Sequence, residues 1–333
     1  MSISLAVCKQ AHPMVSFPPS PIMTEPFNGW RRKDKVVVVM GATGTGKSRL
    51  SIDLATRFPA EIINSDKMQV YEGLDITTNK VTKEERRGVP HHLLGVVDPE
   101  EEFTAADFRL QTSLAMESIV KKNRLPIIVG GSNSYIQALI DDDDLEFRSK
   151  YECCFLWVDV ALPVLHSFVS DRVDRMVEAG LVDEVRRMFN SDGDYTHGIR
   201  RAIGVPEMDQ YFRMEATTDE DTRQSLLKEA INNIKLNNCT LACRQLQKIL
   251  RLRGKSGWKN MHRINATEVF LARGSRDANE AWENDVARPS TLLIRQFLLG
   301  DEIYTPTTTS IGTPPFMASM ANAIRSVVAA ATR

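Results

Sequence analysis

Residues 36–48 read Val36-Val37-Val38-Val39-Met40-Gly41-Ala42-Thr43-Gly44-Thr45-Gly46-Lys47-Ser48. Four consecutive valines predict a strand buried on both faces. The segment after it fits G-x-x-x-x-G-K-[ST] without a mismatch, and Arg49–Arg57 continues with helical spacing. Strand, glycine-rich loop and helix in that order define a P-loop. Its backbone N–H groups and the helix N-terminus cradle a phosphate or diphosphate. Lys47 adds a point charge, and the Ser48 hydroxyl is a ligand type suited to Mg²⁺. The loop reports a phosphorylated ligand without saying which.

Outward from this loop, short apolar runs predict further parallel strands at Ala60–Asn64, Leu125–Val129 and Phe155–Val160. Helical patterns separate them, notably Ala105–Lys122. Strands alternating with helices predict an α/β fold, a P-loop NTPase-like core with a central parallel sheet flanked by helices. From about Val164 the pattern turns mainly helical. Val173, Met176, Val177, Leu181 and Val185 share one helical stripe that Gly180 interrupts, and Leu227, Ile231, Ile234, Leu241, Leu246 and Ile249 mark a second. The expected organisation is a leader at 1–34, a P-loop core at 35–180, a mainly helical acceptor-binding region at 181–300, and a tail at 305–333. A short helix is expected in that tail at Met317–Ala330.

The chain has 333 residues, 42% of them hydrophobic, and a formal net charge of -1. That is enough apolar surface for a full core, with no overall basic field to draw a polyanion. No apolar run reaches the length of a membrane span. The five cysteines, Cys8, Cys153, Cys154, Cys239 and Cys243, form no C-x-x-C pair. A reduced compartment fits that pattern better than a zinc site does, and Cys239 and Cys243, one helical turn apart, suit packing. Residues 1–34 are rich in Pro and Ser, with no acid before Glu25. Such a leader is either an organelle transit peptide, with the plastid stroma as destination, or a plain tail on a cytoplasmic protein.

Asp66 follows the second strand in Ile62-Ile63-Asn64-Ser65-Asp66-Lys67-Met68. Ligands of open parallel sheets bind outside the carboxyl ends of the strands, which brings Asp66 near the P-loop. A carboxylate there accepts a proton, ligates Mg²⁺ or caps the next helix, and on position alone capping leads. A kinase or NTPase reading would also want an Asp at a strand end to hold Mg²⁺, and Asp159 or Asp66 would serve.

Several blocks together resemble the isopentenyltransferase family, which includes the tRNA dimethylallyltransferases. They are Gly41–Ser48; Asn64–Tyr71 with Gly73–Lys80; Val89-Pro90-His91-His92-Leu93-Leu94; Phe103–Phe108; Ile127–Tyr135; Arg172–Met176 through Gly180–Val185; and Ala202-Ile203-Gly204. The resemblance runs from about Val36 to Leu252. Within the family it is nearer the plant adenylate branch than the tRNA branch. Lys67 stands where tRNA-type members usually have Ser. Gly131-Ser132-Asn133-Ser134-Tyr135 replaces Gly-Thr-x-Leu-Tyr. Asn238-Cys239 and Cys243-Arg244-Gln245 stand in place of Thr-Arg and Lys-Arg-Gln.

The resemblance implies transfer of a dimethylallyl group from dimethylallyl diphosphate to the N6 amine of ATP or ADP, with AMP as a further acceptor, using Mg²⁺; a monomer is the expected state. tRNA prenylation at A37 is the alternative within the family, and a P-loop kinase or NTPase is the alternative of another class. By the same resemblance the P-loop holds the donor's diphosphate, Thr43 donates to the bridging oxygen, Asp66 is the general base, and Arg172 binds diphosphate. Lys235 is a weaker candidate for the donor diphosphate. Arg200 and Arg201 are candidates for the acceptor's phosphates. The basic run over Leu226–Arg263 reads as a solvated face or a phosphate contact, His91-His92 as structural, and Asp141–Asp144 as a solvated turn.

Overall fold

The computed structural model describes residues 33–141, 146–258, 260–274 and 277–300. The expectations for the leader, for the tail with its helix at Met317–Ala330, and for Asp142–Asp144 lie outside these residues.

The sheet has six strands, all paired in parallel: β1 (Asp34–Gly41), β2 (Ala60–Asn64), β3 (His91–His92), β4 (Leu125–Val129), β5 (Tyr151–Asp159) and β6 (Met261–Asn265), in the spatial order β3-β2-β4-β1-β5-β6. β1 is central, with Val37 opposite Ile127 of β4 on one side and Cys154 of β5 on the other. Val36–Met40 are fully buried, as a strand covered on both faces requires. The chain runs from β1 outward to β2, then returns through β4 to the other side. That reversal opens a crevice at the carboxyl ends beside β1.

Helices cover the sheet: α1 (Lys47–Arg57), α2 (Ala105–Lys121), α3 (Asn133–Ile140), α4 (Glu146–Lys150), α5 (Leu162–Glu178), α6 (Leu181–Met188), α7 (Asp209–Met214), α8 (Glu220–Arg253), α9 (Thr267–Leu271), α10 (Ala278–Trp282) and α11 (Arg288–Leu299). Thr104 starts α2 with a capping box, its hydroxyl accepting from Asp107 N–H while the Asp107 carboxylate accepts from Thr104 N–H. Gly180, at φ 102°, ends α5 and caps α6, where a side chain would be strained. Asp219 caps α8, a helix about 50 Å long at 1.5 Å per residue.

Two strands were not foreseen. β3 is only two residues long and has no pattern to read. β6 carries the mixed sequence Met261-His262-Arg263-Ile264-Asn265, an edge strand with one face open. Asp141 is no solvated turn: it accepts from Arg148, Lys255 and the Trp258 indole. Among the described residues neither of the paired histidines joins a cluster that could hold a metal: His91 Nδ1 contacts Val89 O, and His92 Nε2 contacts the buried Glu61 at 2.7 Å. Cys243 Sγ packs 3.4 Å from His166 Nε2. Among the described residues no helix is long and apolar enough to cross a membrane.

Candidate active site

The P-loop leaves β1 and enters α1 at Gly46, whose φ of 88° matches the left-handed turn at Gly44, φ 84°. Both turns suit glycine because a Cβ clashes with the carbonyl in that region. Thr45 and Ala42 are buried beneath the loop and tied to each other, Thr45 Oγ1 donating to Ala42 O at 3.0 Å. The Lys47 ammonium donates to the same carbonyl at 2.6 Å. Burial pushes Lys47 down to about 8; nearby Asp66 opposes the shift and Arg172 adds to it.

Asp66 sits just beyond β2 in a turn of its own. Its N–H donates to Asn64 Oδ1 at 3.2 Å, and its Oδ1 accepts Met68 N–H at 3.1 Å. The Asn64 amide reaches on to Leu93 O at 2.8 Å, which fastens the turn to the segment after β3. No helix follows Asp66 for it to cap; one carboxylate oxygen instead holds this turn. The other faces Gly131, where a Cβ would lie 3.6 Å from Asp66 Oδ2. Next to it, a Cβ on Gly130 would collide with the Ser65 backbone, so the ends of β2 and β4 close up only around glycine.

Arg172, on α5, donates to Thr43 Oγ1 at 3.1 Å and to Asn238 Oδ1 of α8 at 3.3 Å. Its Nε is buried without a partner. Burial, with Arg175 nearby, lowers the guanidinium to about 10. Gln245, also on α8, accepts the Thr43 N–H at 2.6 Å and donates to Gly131 O at 3.0 Å.

One cavity of about 1010 Å³ is lined among others by Thr43, Gly44, Gly46, Lys47, Ser48, Asp66, Gly130, Gly131 and Arg172, while Gln245 and Asn238 lie off its wall. Gly41, Ala42 and Thr45 do not line it. Lys235 does not either: its Nζ pairs with Asp174 at 2.6 Å. Arg200 pairs with Glu100 at 2.7 Å, and Arg201 contacts Glu102 at 3.3 Å and the Tyr71 hydroxyl at 3.2 Å, both off the cavity wall. Asp159 is bound by Arg263 of β6 at 2.6 Å and is also absent from the wall. Asn238, Gln245, Asn64 and Gly131 had no role assigned from sequence. A signal for two of them was present. Asn238 and Gln245 are polar positions seven residues apart, two turns of α8, in the buried stripe that holds Ile234 and Leu246.

The arrangement combines an anion cradle, two buried cations and a carboxylate facing the same space. Such a site binds a phosphorylated group, stabilises negative charge developing on it, and accepts a proton from a second reactant.

A family model described as IPP transferase matches residues 69–149 and 141–250. Adenylate isopentenyltransferase 5, chloroplastic, of Arabidopsis thaliana is 65% identical over 272 residues, 81% of this chain and 82% of that protein. Adenylate isopentenyltransferase 7, mitochondrial, of the same organism is 54% identical over 299 residues, 89% of this chain and 90% of that one. Among solved structures, a eukaryotic dimethylallyltransferase acting on tRNA superposes with a TM-score of 0.67 at 24% identity, covering 82% of each chain, which shows a common fold.

Proposed function

The chain belongs to the IPP transferase family, and on that premise we propose that it transfers a dimethylallyl group from dimethylallyl diphosphate to the N6 amine of ATP or ADP, with AMP as a further acceptor. The activity is that of an adenylate isopentenyltransferase, a prenyltransferase of cytokinin biosynthesis. The observation that carries the assignment of roles is the shared cavity: Asp66 faces the space that Thr43, Lys47, Ser48 and Arg172 also line.

In this reading the P-loop holds the donor's diphosphate, which is the leaving group. The allylic C–O bond breaks and its electron pair stays on the diphosphate. Lys47, Arg172 and the loop amides at the α1 N-terminus stabilise that charge, as fixed dipoles and cations do where charge develops. Thr43, held by Arg172, donates its hydroxyl proton toward the bridging oxygen. The N6 lone pair of adenine is delocalised into the ring and makes a weak nucleophile. Asp66 Oδ2 orients the amine and takes its proton as the new C–N bond forms. The acceptor is met by groups within residues 181–300, while Asn238 and Gln245 of α8 support the donor side through Arg172 and Thr43. Lys235, Arg200 and Arg201 touch phosphates in this reading only by leaving Asp174, Glu100 and Glu102.

Mg²⁺ fits the donor set. Ser48 lines the cavity beside Lys47, and among the described residues no three carboxylate, imidazole or thiol groups cluster to cage an ion. Mg²⁺ is commonly held by one or two protein oxygens plus substrate phosphates and water. Ser48 would hold it, and when bound it neutralises part of the leaving charge.

Incubation with labelled dimethylallyl diphosphate, Mg²⁺ and either ATP, ADP, AMP or unmodified tRNA tests the reading. Label is expected in the free nucleotides. Label confined to tRNA overturns the choice of acceptor.

A further inference from the structure

Thr43 and Gly131 lie in two different turns, after β1 and after β4, and line the same cavity. Gln245 spans them from a third element, α8. Its Oε1 accepts the Thr43 N–H at 2.6 Å, its Nε2 donates to Gly131 O at 3.0 Å, and its own backbone carbonyl accepts from the Asn133 side chain of α3 at 3.2 Å. The side chain is buried. An N–H and a C=O that must be met together call for a side chain that accepts at one end and donates at the other. A carboxamide does this, and an ionised carboxylate does not.

The bridge has a consequence on each side. The Thr43 amide is committed to Gln245, which leaves the hydroxyl, 3.1 Å from Arg172, as the group Thr43 offers to the leaving diphosphate. Gly131 forms the wall that Asp66 Oδ2 faces. We propose that Gln245 is a positioning residue that sets the donor cradle and the acceptor wall at the separation prenyl transfer requires. This rests on the transfer reading above. Reaction rates depend steeply on such registration.

The test uses two substitutions in the full chain. Gln245→Met keeps the length and removes both bonds. Gln245→Glu keeps the acceptor for Thr43 but, when ionised, sets an acceptor against the Gly131 carbonyl. With dimethylallyl diphosphate and ADP, Gln245→Met is expected to lower kcat by about 100-fold, the loss a misplacement on the order of 1 Å brings, with far less change in donor KM. Gln245→Glu is expected to be impaired at about pH 8 and to recover relative to the wild type toward about pH 6, because burial beside the Gly131 carbonyl raises the carboxyl and its protonation restores a donor. Asp66, Lys47 and Arg172 are the charged groups beside Thr43 and Gly131, and dividing by the wild type removes the pH response common to both enzymes. A Gln245→Met kcat close to the wild type overturns the proposal. So does a Gln245→Glu ratio that is flat with pH, which decides alone if the Met variant does not fold. A wild type inert toward ADP strikes the transfer reading instead. The bridge is then read by amide exchange at Thr43, where protection unchanged in the folded variant overturns it.

Discussion

At Asp66 one carboxylate oxygen accepts Met68 N–H and holds the side chain, while the other lies beside Gly131 at the cavity wall. Asp66→Asn keeps an oxygen for the turn and removes the proton acceptor. It is expected to lower kcat by about 10²–10⁴-fold, the usual worth of a general base, and to leave the binding of inorganic diphosphate, measured by calorimetry, nearly unchanged. Full transfer activity in this variant would remove Asp66 as the base. Lys47 supplies a pH dependence. Burial holds it at about 8, so the ammonium is charged below that pH and neutral above it. Affinity for inorganic diphosphate should therefore fall as pH rises through about 8, and a calorimetric series that stays flat there denies Lys47 its charge role. Stability carries the opposite sign. The folded value lies below the ordinary 10.5, so between about 8 and 10.5 the unfolded chain holds more protons, and the Lys47 contribution to stability rises with pH across that window.

At the scale of elements, the site depends on how closely β2 and β4 converge. Gly130 permits the contact with the Ser65 backbone. Gly130→Ala is expected to destabilise the fold by about 3 kcal/mol, at the upper end for overpacking, read as a lowered urea midpoint, because the obstacle is backbone and not a flexible side-chain end. β6 is tied to the sheet through Arg263, which grips Asp159 at the carboxyl end of β5. Burial raises Asp159 and the guanidinium opposes the rise. Arg263→Met leaves that carboxylate buried without its partner and is expected to cost about 2–3 kcal/mol in chemical denaturation, discounted from a fully buried pair because Arg263 is half exposed. The strands carrying short apolar runs, β1, β2, β4 and β5, were legible because burial on both faces leaves a composition that no helix period explains. β3 and β6 were not, since their pairing is decided by neighbours far away in sequence. Asn238 and Gln245 are the α8 counterpart: their spacing marks a buried stripe, but only the packing of α8 against the P-loop gives polar residues in that stripe a partner.

For the whole molecule, we propose that residues 1–34 direct the chain to the plastid stroma. Fusing them to a fluorescent protein is expected to place the signal in plastids; a mitochondrial signal, the destination named for one relative, or a cytoplasmic one would overturn that. The sequence by itself determined the P-loop, the parallel α/β core around β1, the place of Asp66 beside the loop and, by its resemblance, the family. Each of these is written locally, in glycine spacing, in uninterrupted apolar runs or in short contiguous blocks. Only the tertiary structure decided which charged groups share the cavity. Arg172 reaches it because α5 packs beside the loop and the Thr43 hydroxyl accepts its guanidinium. Lys235, Arg200 and Arg201 are instead met by Asp174, Glu100 and Glu102 from distant parts of the chain. A charge is chosen as ligand or as structural partner by which opposite charge lies within a few ångströms, and that distance is a property of packing, not of order along the chain.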